Sequence, residues 1–278
     1  IDCVKIEELK TMRLGNYEGI IINNTDYISK KILHELKKIK SSGIMIINLF
    51  IFYERYFERI PPKLISDKDI ISRDFFVPRN SNSVRLKRIG DVFLASILFL
   101  ITSPLVLLAA ILIKIEDNGP VFYSQERSGL LNIPYKVWKL RTMKVNSESK
   151  GPQWASKKDL RITSIGKYLR QSRLDELPQL LSVIKGEMSL IGPRPERPTF
   201  DRKLGLEIPH YNVRKWIKPG LSGWAQVNYP YTSSIEDSEK KISYDLFYLR
   251  NFSFWLDLLI MLKTIKMVLN IKGSTPRK

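Results

Sequence analysis

With 278 residues the chain can hold one large or two modest domains, and 44% hydrophobic content is enough to build a core, which excludes a disordered protein. A formal charge of +18, from 46 Lys and Arg against 28 Asp and Glu, implies a negatively charged partner: nucleic acid, an anionic membrane or a phosphorylated substrate. The single cysteine, Cys3, excludes an internal disulfide and suits a reducing compartment, while His34 and His210 are too few and too scattered for a zinc site, so any metal should be a hard ion held by oxygens.

The chain opens on Ile1 with no secretory signal and reads as a piece of a longer protein. Gly19 to Asn23 reads as a buried strand, and Asp26 to Lys40 as a helix with Ile32, Leu33 and Leu36 inward. Gly43 to Asn48 reads as a second strand, which completes a βαβ unit. The unit is too short for a complete doubly wound domain and has no glycine-rich phosphate loop, so it is assigned no cofactor. The polar stretch Pro78 to Ser83 is the best linker.

From Val92 to Ile113 the sequence is almost wholly apolar, interrupted only by Ser96, Thr102 and Ser103, a length that suits a bilayer-crossing helix of ~20 residues. Pro104 falls near its centre, where it removes a backbone hydrogen bond and clashes with the preceding turn, so Ser103 and Pro104 are expected to kink it. Each half then reaches only ~13 to 18 Å, about half a bilayer. Arg85, Lys87 and Arg88 precede the segment and Lys114 follows it; positive charge at both ends favours a re-entrant hairpin over a crossing.

Further on, Ser172 to Leu180 places Asp175 and Glu176 just ahead of Pro178. Proline is tolerated in the first turn of a helix, so the sequence predicts a helix that starts near Ser172 to Asp175 with both acids at its N-terminal end. Leu177, Leu180, Leu181 and Ile184 are expected to form one apolar face, with Gly186 as the stop. On a helix Glu176 points roughly 100° away from Asp175, so the two acids are expected to serve different tasks rather than share one proton. Arg194 lies between Pro193 and Pro195, and a guanidinium on a stiffened loop suits bidentate phosphate recognition. The last helical pattern, Phe252 to Leu269, sets Phe254, Trp255, Leu258, Leu259, Leu262, Ile265, Val268 and Leu269 at helical spacing with Lys263, Lys266 and Lys272 alongside. That pattern fits a helix lying in a membrane interface or one packed on the core or a partner subunit.

The run from Asp175 to Pro195 resembles the central motif of the bacterial sugar transferases, the monotopic polyprenyl-phosphate glycosyl-1-phosphate transferases that start exopolysaccharide and O-antigen assembly. The similarity extends to Lys87-Arg88, Gly119 to Phe122, Gln125 to Gly129, Lys139 to Met143, Arg194 to Pro198, Lys218 to Val227, and Tyr244 to Leu246 before Asn251. It covers about Val84 to Leu269. Ser128 and Ser222 depart from the usual Val and Thr, and neither touches the chemistry.

The resemblance implies an α/β N-terminal remnant, a partial Rossmann-like regulatory domain over residues 1–77 and a linker at 78–83. A mostly α, α+β catalytic domain then fills 84–278, with its re-entrant membrane helix at 84–115. It further implies transfer of a sugar 1-phosphate from a nucleotide (UDP) sugar to polyprenyl (undecaprenyl) phosphate, with release of UMP. Asp175 is then the nucleophile that forms an aspartyl-phosphosugar, and Glu176 handles metal placement or protons. Both acids are candidate ligands of Mg²⁺, which takes carboxylates and phosphate oxygens with several retained waters. Arg194 is expected to meet the polyprenyl phosphate, and Arg127, Lys139 and Arg141 the nucleotide-sugar phosphates. Asp245 either helps the metal or holds a neighbouring arginine. Such enzymes sit in the bacterial inner membrane with the catalytic domain facing the cytoplasm, and larger members tend to form homodimers.

Two other classes use the same features. Nucleic-acid binding would draw on the charge, with Lys37, Lys38 and Lys40 as phosphate contacts, but no recognised motif supports it and the apolar segment is left unexplained. A catalytically inactive membrane-bound scaffold would keep fold and anchor, against which stand the intact Asp175, Glu176, Arg141 and Arg194.

Overall fold

A computed structural model of the chain describes residues 8, 16–23, 28–71, 75, 81–147, 159–229 and 234–270. Strands β1 (Gly19–Ile22) and β2 (Met45–Asn48) pair in parallel, Gly19 opposite Met45, with helix α1 (Lys30–Ser41) between them. The predicted start of that helix at Asp26 lies outside the described residues. In α1 Leu36 is buried, whereas Leu33, expected inward, is 46% exposed. The two strands form the whole of this sheet among the described residues, so a wider Rossmann-like layer is not seen.

Helix α2 (Leu49–Phe57), capped by the Asn48 side chain on Phe50 N at 2.8 Å, leads to a 3-10 turn (Pro62–Leu64) and α3 (Asp67–Ile71). This stretch is built into the body that follows. Trp224 Nε1 donates to the Glu58 carbonyl and Ile60 N to the Ser243 carbonyl, each at 2.8 Å. Ile60, Ile65 and Phe75 join the main core with Leu180, Val183, Met188, Trp224, Leu246 and Leu249. Residues before the expected linker therefore share one core with residues after it; Pro78 to Asn80 of that linker lie outside the described residues.

Helix α4 (Asn82–Asp117) is one element of 36 residues that runs unbroken through Pro104. Among the described residues it is the one helix long and apolar enough to cross a membrane. Proline leaves the carbonyl four residues back without its backbone donor. Here the Ser103 hydroxyl donates to that same Leu100 carbonyl at 2.9 Å, and Thr102 donates to Leu98 O at 2.7 Å. The middle of the helix is exposed at Leu100, Ile101, Leu105, Leu107 and Leu108, while both flanks pack on one body. At the first flank Arg88 caps the carbonyls of Val183 and Ile184 at 2.6 and 2.8 Å, Ser189 Oγ donates to Asp91 at 2.7 Å, and Ala95 enters the main core. At the second, Ala109 and Ile113 join Leu140 and Leu169 in a smaller core.

Strands β3 (Phe122–Ser128) and β4 (Pro134–Leu140) form an antiparallel hairpin, Arg127 opposite Tyr135 and Tyr123 opposite Lys139. Then come α5 (Ser164–Gln171), a 3-10 turn (Leu174–Gln179), α6 (Leu180–Lys185) and β5 (Ser189–Ile191). The chain continues with α7 (Pro198–Glu207), a 3-10 turn (Tyr211–Trp216), β6 (Gly220–Ser222), α8 (Trp224–Asn228), α9 (Ile235–Arg250) and α10 (Phe254–Leu269). The described residues are thus mostly helical with three two-stranded sheets. β5 and β6 pair in parallel so closely that a Cβ on Gly220 would sit 2.1 Å from Gly192 N, which requires glycine there. On α10 only Ile260 is fully buried; Phe254, Trp255, Leu262 and Leu269 stay exposed, and Lys272 lies outside the described residues.

Candidate active site

Side chains alternate along a strand, and directly opposed residues share a face. The register of β3 and β4 therefore puts Arg127, Tyr135, Val137 and Lys139 on the face turned toward the core, and Val137 is buried there. Opposite it lies the segment with the two acids. The expected α-helical first turn is instead the 3-10 turn Leu174–Gln179, entered through Arg173 in the left-handed region (φ 61°), and α6 begins only at Leu180. The physical reason is Pro178, whose ring clashes with the carbonyl four residues back in an α-turn, whereas the tighter turn bonds three residues back. Gly186 ends α6 at φ 92°, as expected of the stop. Of the expected apolar face, Leu180 is buried and Leu177 and Ile184 pack partly buried against the core, but Leu181 is 42% exposed; Val183, not expected there, is buried instead.

Asp175 and Glu176 are both 8% exposed. Glu176 is the hub: Lys139 Nζ lies 2.7 Å from its Oε1, Arg194 Nη2 2.5 Å from Oε1, Arg194 Nη1 3.3 Å from Oε2, and Arg173 Nη1 3.8 Å from Oε2. Burial alone would raise its pKa, but Arg194 and Lys139 hold it well below the ordinary carboxylate range. Asp175 accepts no hydrogen bond from a described residue, and burial together with the neighbouring Glu176 charge pushes its pKa up to about 6. The two acids are thus driven apart, a permanent anion beside a carboxyl that titrates close to neutrality. Burial lowers the pKa of Lys139 against the pull of Glu176, while Glu176 raises that of Arg194.

The loop that carries Arg194 has two prolines and hence few donors of its own, and its carbonyls are all taken from outside. Gly220 N donates to Pro193 O at 2.9 Å, Arg214 Nη2 to Arg194 O at 2.7 Å, Arg127 Nη1 to Pro195 O at 3.0 Å, and Ser128 N to Glu196 O at 3.0 Å. The Glu196 carboxylate meets Lys241 at 2.7 Å and Arg127 at 3.7 Å. Asp245 holds an arginine: Arg214 Nη2 lies 2.8 Å from its Oδ2, with Nε at 2.9 Å.

Lys139, Asp175, Glu176 and Arg194 are therefore brought together, and Arg127 adjoins them through the loop. Arg141 is placed apart. It forms a fork on Asp117 at the end of α4, Nη1 to Oδ2 at 2.6 Å, and donates from Nε to Pro120 O at 2.5 Å. Sequence reasoning missed Arg214, Tyr211, Lys241 and Glu196. The signal available was the Pro-Arg-Pro loop itself, whose carbonyls need donors that it cannot supply.

No group of three or more Asp, Glu, His or Cys gathers among the described residues. The donor set still fits Mg²⁺ in its usual mode of one or two carboxylates plus substrate phosphates. The Asp175 carboxylate carries no hydrogen bond from a described residue, whereas the Glu176 oxygens are already engaged by cations.

Comparison with known proteins gives a consistent picture. Residues 82–271 match the family described as bacterial sugar transferase. The chain is 47% identical over 189 residues to a UDP-N-acetylgalactosamine-undecaprenyl-phosphate N-acetylgalactosaminephosphotransferase of Aeromonas hydrophila, covering 68% of this chain and 45% of that protein. It is 35% identical over 241 residues to the UDP-glucose:undecaprenyl-phosphate glucose-1-phosphate transferase of Escherichia coli (strain K12), covering 85% and 50%. The protein of that same name in Caulobacter vibrioides is 40% identical over 200 residues, covering 71% and 74%. The chain spans about half the length of the first two. With its motifs, its long apolar helix and a family match over most of its length, the chain belongs to the bacterial sugar transferases.

Proposed function

We propose that the protein transfers a sugar 1-phosphate from a UDP-linked sugar to undecaprenyl phosphate, through a covalent intermediate on Asp175. The observation that carries this reading is the buried pairing of a carboxyl without a hydrogen bond, Asp175, with an anion, Glu176, that gathers Lys139 and Arg194. In the first step an Asp175 carboxylate oxygen attacks the sugar-bearing phosphorus, the bond from that phosphorus to the nucleoside monophosphate breaks, and UMP leaves with the bonding pair. In the second an oxygen of the lipid phosphate attacks the same phosphorus and the aspartyl bond breaks, which restores the carboxylate.

Lys139 faces the charge that develops on the transferred phosphoryl oxygens, and Arg194 meets the phosphate of the incoming lipid, in a site where burial makes such contacts strong. Arg127 adds positive charge beside the loop. Asp175, whose carboxylate accepts no hydrogen bond from a described residue, would hold Mg²⁺, which would neutralise phosphate oxygens when bound, while Glu176 stays engaged by Lys139 and Arg194. The relatives are named for N-acetylgalactosamine and for glucose, so the substrate class is a UDP-linked hexose. Within this reading α4 enters and leaves one leaflet, supported by two flanks that pack on a single body, and the catalytic domain faces the cytoplasm at the inner membrane. The functional unit is a homodimer.

The test is monophosphate release by membrane preparations given a panel of UDP-sugars with undecaprenyl phosphate. Turnover of at least one sugar supports the reading; silence across the panel from folded protein favours the scaffold instead. Arg194→Ala should spare the single equivalent of monophosphate released without lipid acceptor and impair transfer to the lipid.

A further inference from the structure

Arg214 is the most deeply buried cation near the site, with its side chain 3% exposed, yet it does not touch Asp175 or Glu176 among its hydrogen bonds. All three of its nitrogens are engaged. Nε and Nη2 meet Asp245 Oδ2 at 2.9 and 2.8 Å, Nη1 donates to the Tyr211 hydroxyl at 3.2 Å, and Nη2 also donates to the Arg194 carbonyl at 2.7 Å. The Tyr211 hydroxyl in turn donates to Asp201 Oδ1 at 2.5 Å. A chain of buried polar groups thus runs from α7 through the Tyr211–Trp216 turn to α9 and ends on one backbone atom of the Pro-Arg-Pro loop. Burying an arginine is costly unless a matched anion and further acceptors satisfy it, and here Asp245, 1% exposed, is that anion. An arrangement of this kind gives a fixed point at the Arg194 carbonyl, in the same residue whose side chain leaves for Glu176.

We propose that Arg214, locked by Asp245, is the positioning residue that holds Arg194 on the phosphate site. Three of its donors have other acceptors; the fourth contact is the one that reaches the site. Lysine keeps the charge at this position but has no fork to bridge Asp245, Tyr211 and the Arg194 carbonyl together. A loop freed by even an ångström misplaces the guanidinium that it carries.

This inference rests on the transferase reading, and the experiment separates the two. The full chain is purified in nanodiscs as wild type, Arg214→Lys and Asp245→Asn, and each substitution is repeated in the Arg194→Ala background. Monophosphate release is measured as the single-turnover burst without lipid acceptor and transfer to undecaprenyl phosphate in a separate assay, with a thermal melt of every sample. We expect Arg214→Lys and Asp245→Asn to lower kcat/KM for transfer by roughly ten- to a hundredfold while monophosphate release holds. In the Arg194→Ala background the same substitutions should change transfer by less than about twofold, because residues that act through one another are not additive. Equal losses in both backgrounds, or parallel losses of release and transfer, would overturn the positioning role and leave a structural one. If Arg214→Lys melts below the assay temperature, Asp245→Asn reads the same coupling with the buried cation still in place. Wild-type protein that releases no monophosphate from any UDP-sugar would overturn the underlying reading instead.

Discussion

Arg194 and Glu176 close on each other with Nη2 and Oε1 2.5 Å apart, and Lys139 shares the same carboxylate oxygen at 2.7 Å. The group proposed to recognise phosphate is therefore already seated on an internal anion. This arrangement keeps the guanidinium oriented in the absence of substrate, and it keeps the two cations, Lys139 and Arg194, from repelling each other.

Glu176→Gln removes that anion without changing the shape of the side chain. Lys139 and Arg194, with side chains 18% and 25% exposed, then lose their anion, a cost below the about 3 to 5 kcal/mol of breaking a fully buried pair. Thermal melts should fall accordingly, and monophosphate release should drop at least a hundredfold in protein that remains folded.

Asp175 gives a pH-dependent stability effect of the opposite sense. Its folded pKa of about 6 stands above the ordinary 3.8, so its favourable contribution is complete below pH 3.8 and is lost as pH rises through 6. At pH 8 the ionised carboxylate weighs against folding by on the order of 3 kcal/mol relative to low pH. Asp175→Asn carries no such charge, so its melting temperature should gain on that of wild type by several degrees between pH 4 and pH 8. A gap that stays constant across that range would show that Asp175 is not the titrating group.

Much of this was legible in the sequence, and what was not has identifiable causes. The βαβ order, the long apolar helix, the stop at Gly186 and the gathering of Lys139, Asp175, Glu176 and Arg194 follow from periodicity, proline chemistry and motif resemblance. Pro178 marked the right place but the wrong helix type, because a proline excluded from an α-interior is equally compatible with a 3-10 turn. Leu33 and Leu181 sit on the apolar stripes of their helices yet stay exposed, since a stripe says which face is apolar and not how far the neighbouring elements cover it. Arg141 belongs to a basic block beside the site but turns away to Asp117, 24 residues earlier, a long-range partner that spacing does not reveal. Arg214 and Asp245 meet across 31 residues for the same reason.

Membrane topology is open to a direct test. Single cysteines at Ser83 and Asn118, in a Cys3→Ser background, should be labelled from the same side of the membrane in intact cells and in inverted vesicles. Labelling from opposite sides would make α4 a crossing helix. Pro104→Leu restores the backbone donor to Leu100 O and should shift the two sites toward opposite faces.

Assembly is tested by mass. The exposed Phe254, Trp255, Leu262 and Leu269 on α10, together with the βαβ unit, offer surfaces for pairing. Detergent-solubilised or nanodisc-held protein should show a dimer mass that persists on dilution, and a monomer at every concentration would reject the homodimer.

The most direct measurement is the covalent step itself. Wild-type protein incubated with sugar-radiolabelled UDP-sugar and Mg²⁺, without lipid acceptor, should release up to one equivalent of UMP and retain the label on the protein. Peptide mapping should then place it on Asp175, and addition of undecaprenyl phosphate should discharge it to the lipid. Asp175→Asn should form no adduct and lose monophosphate release by orders of magnitude. An unlabelled wild-type protein that still turns over with lipid present, or an Asp175→Asn variant that turns over normally, would contradict the aspartyl mechanism.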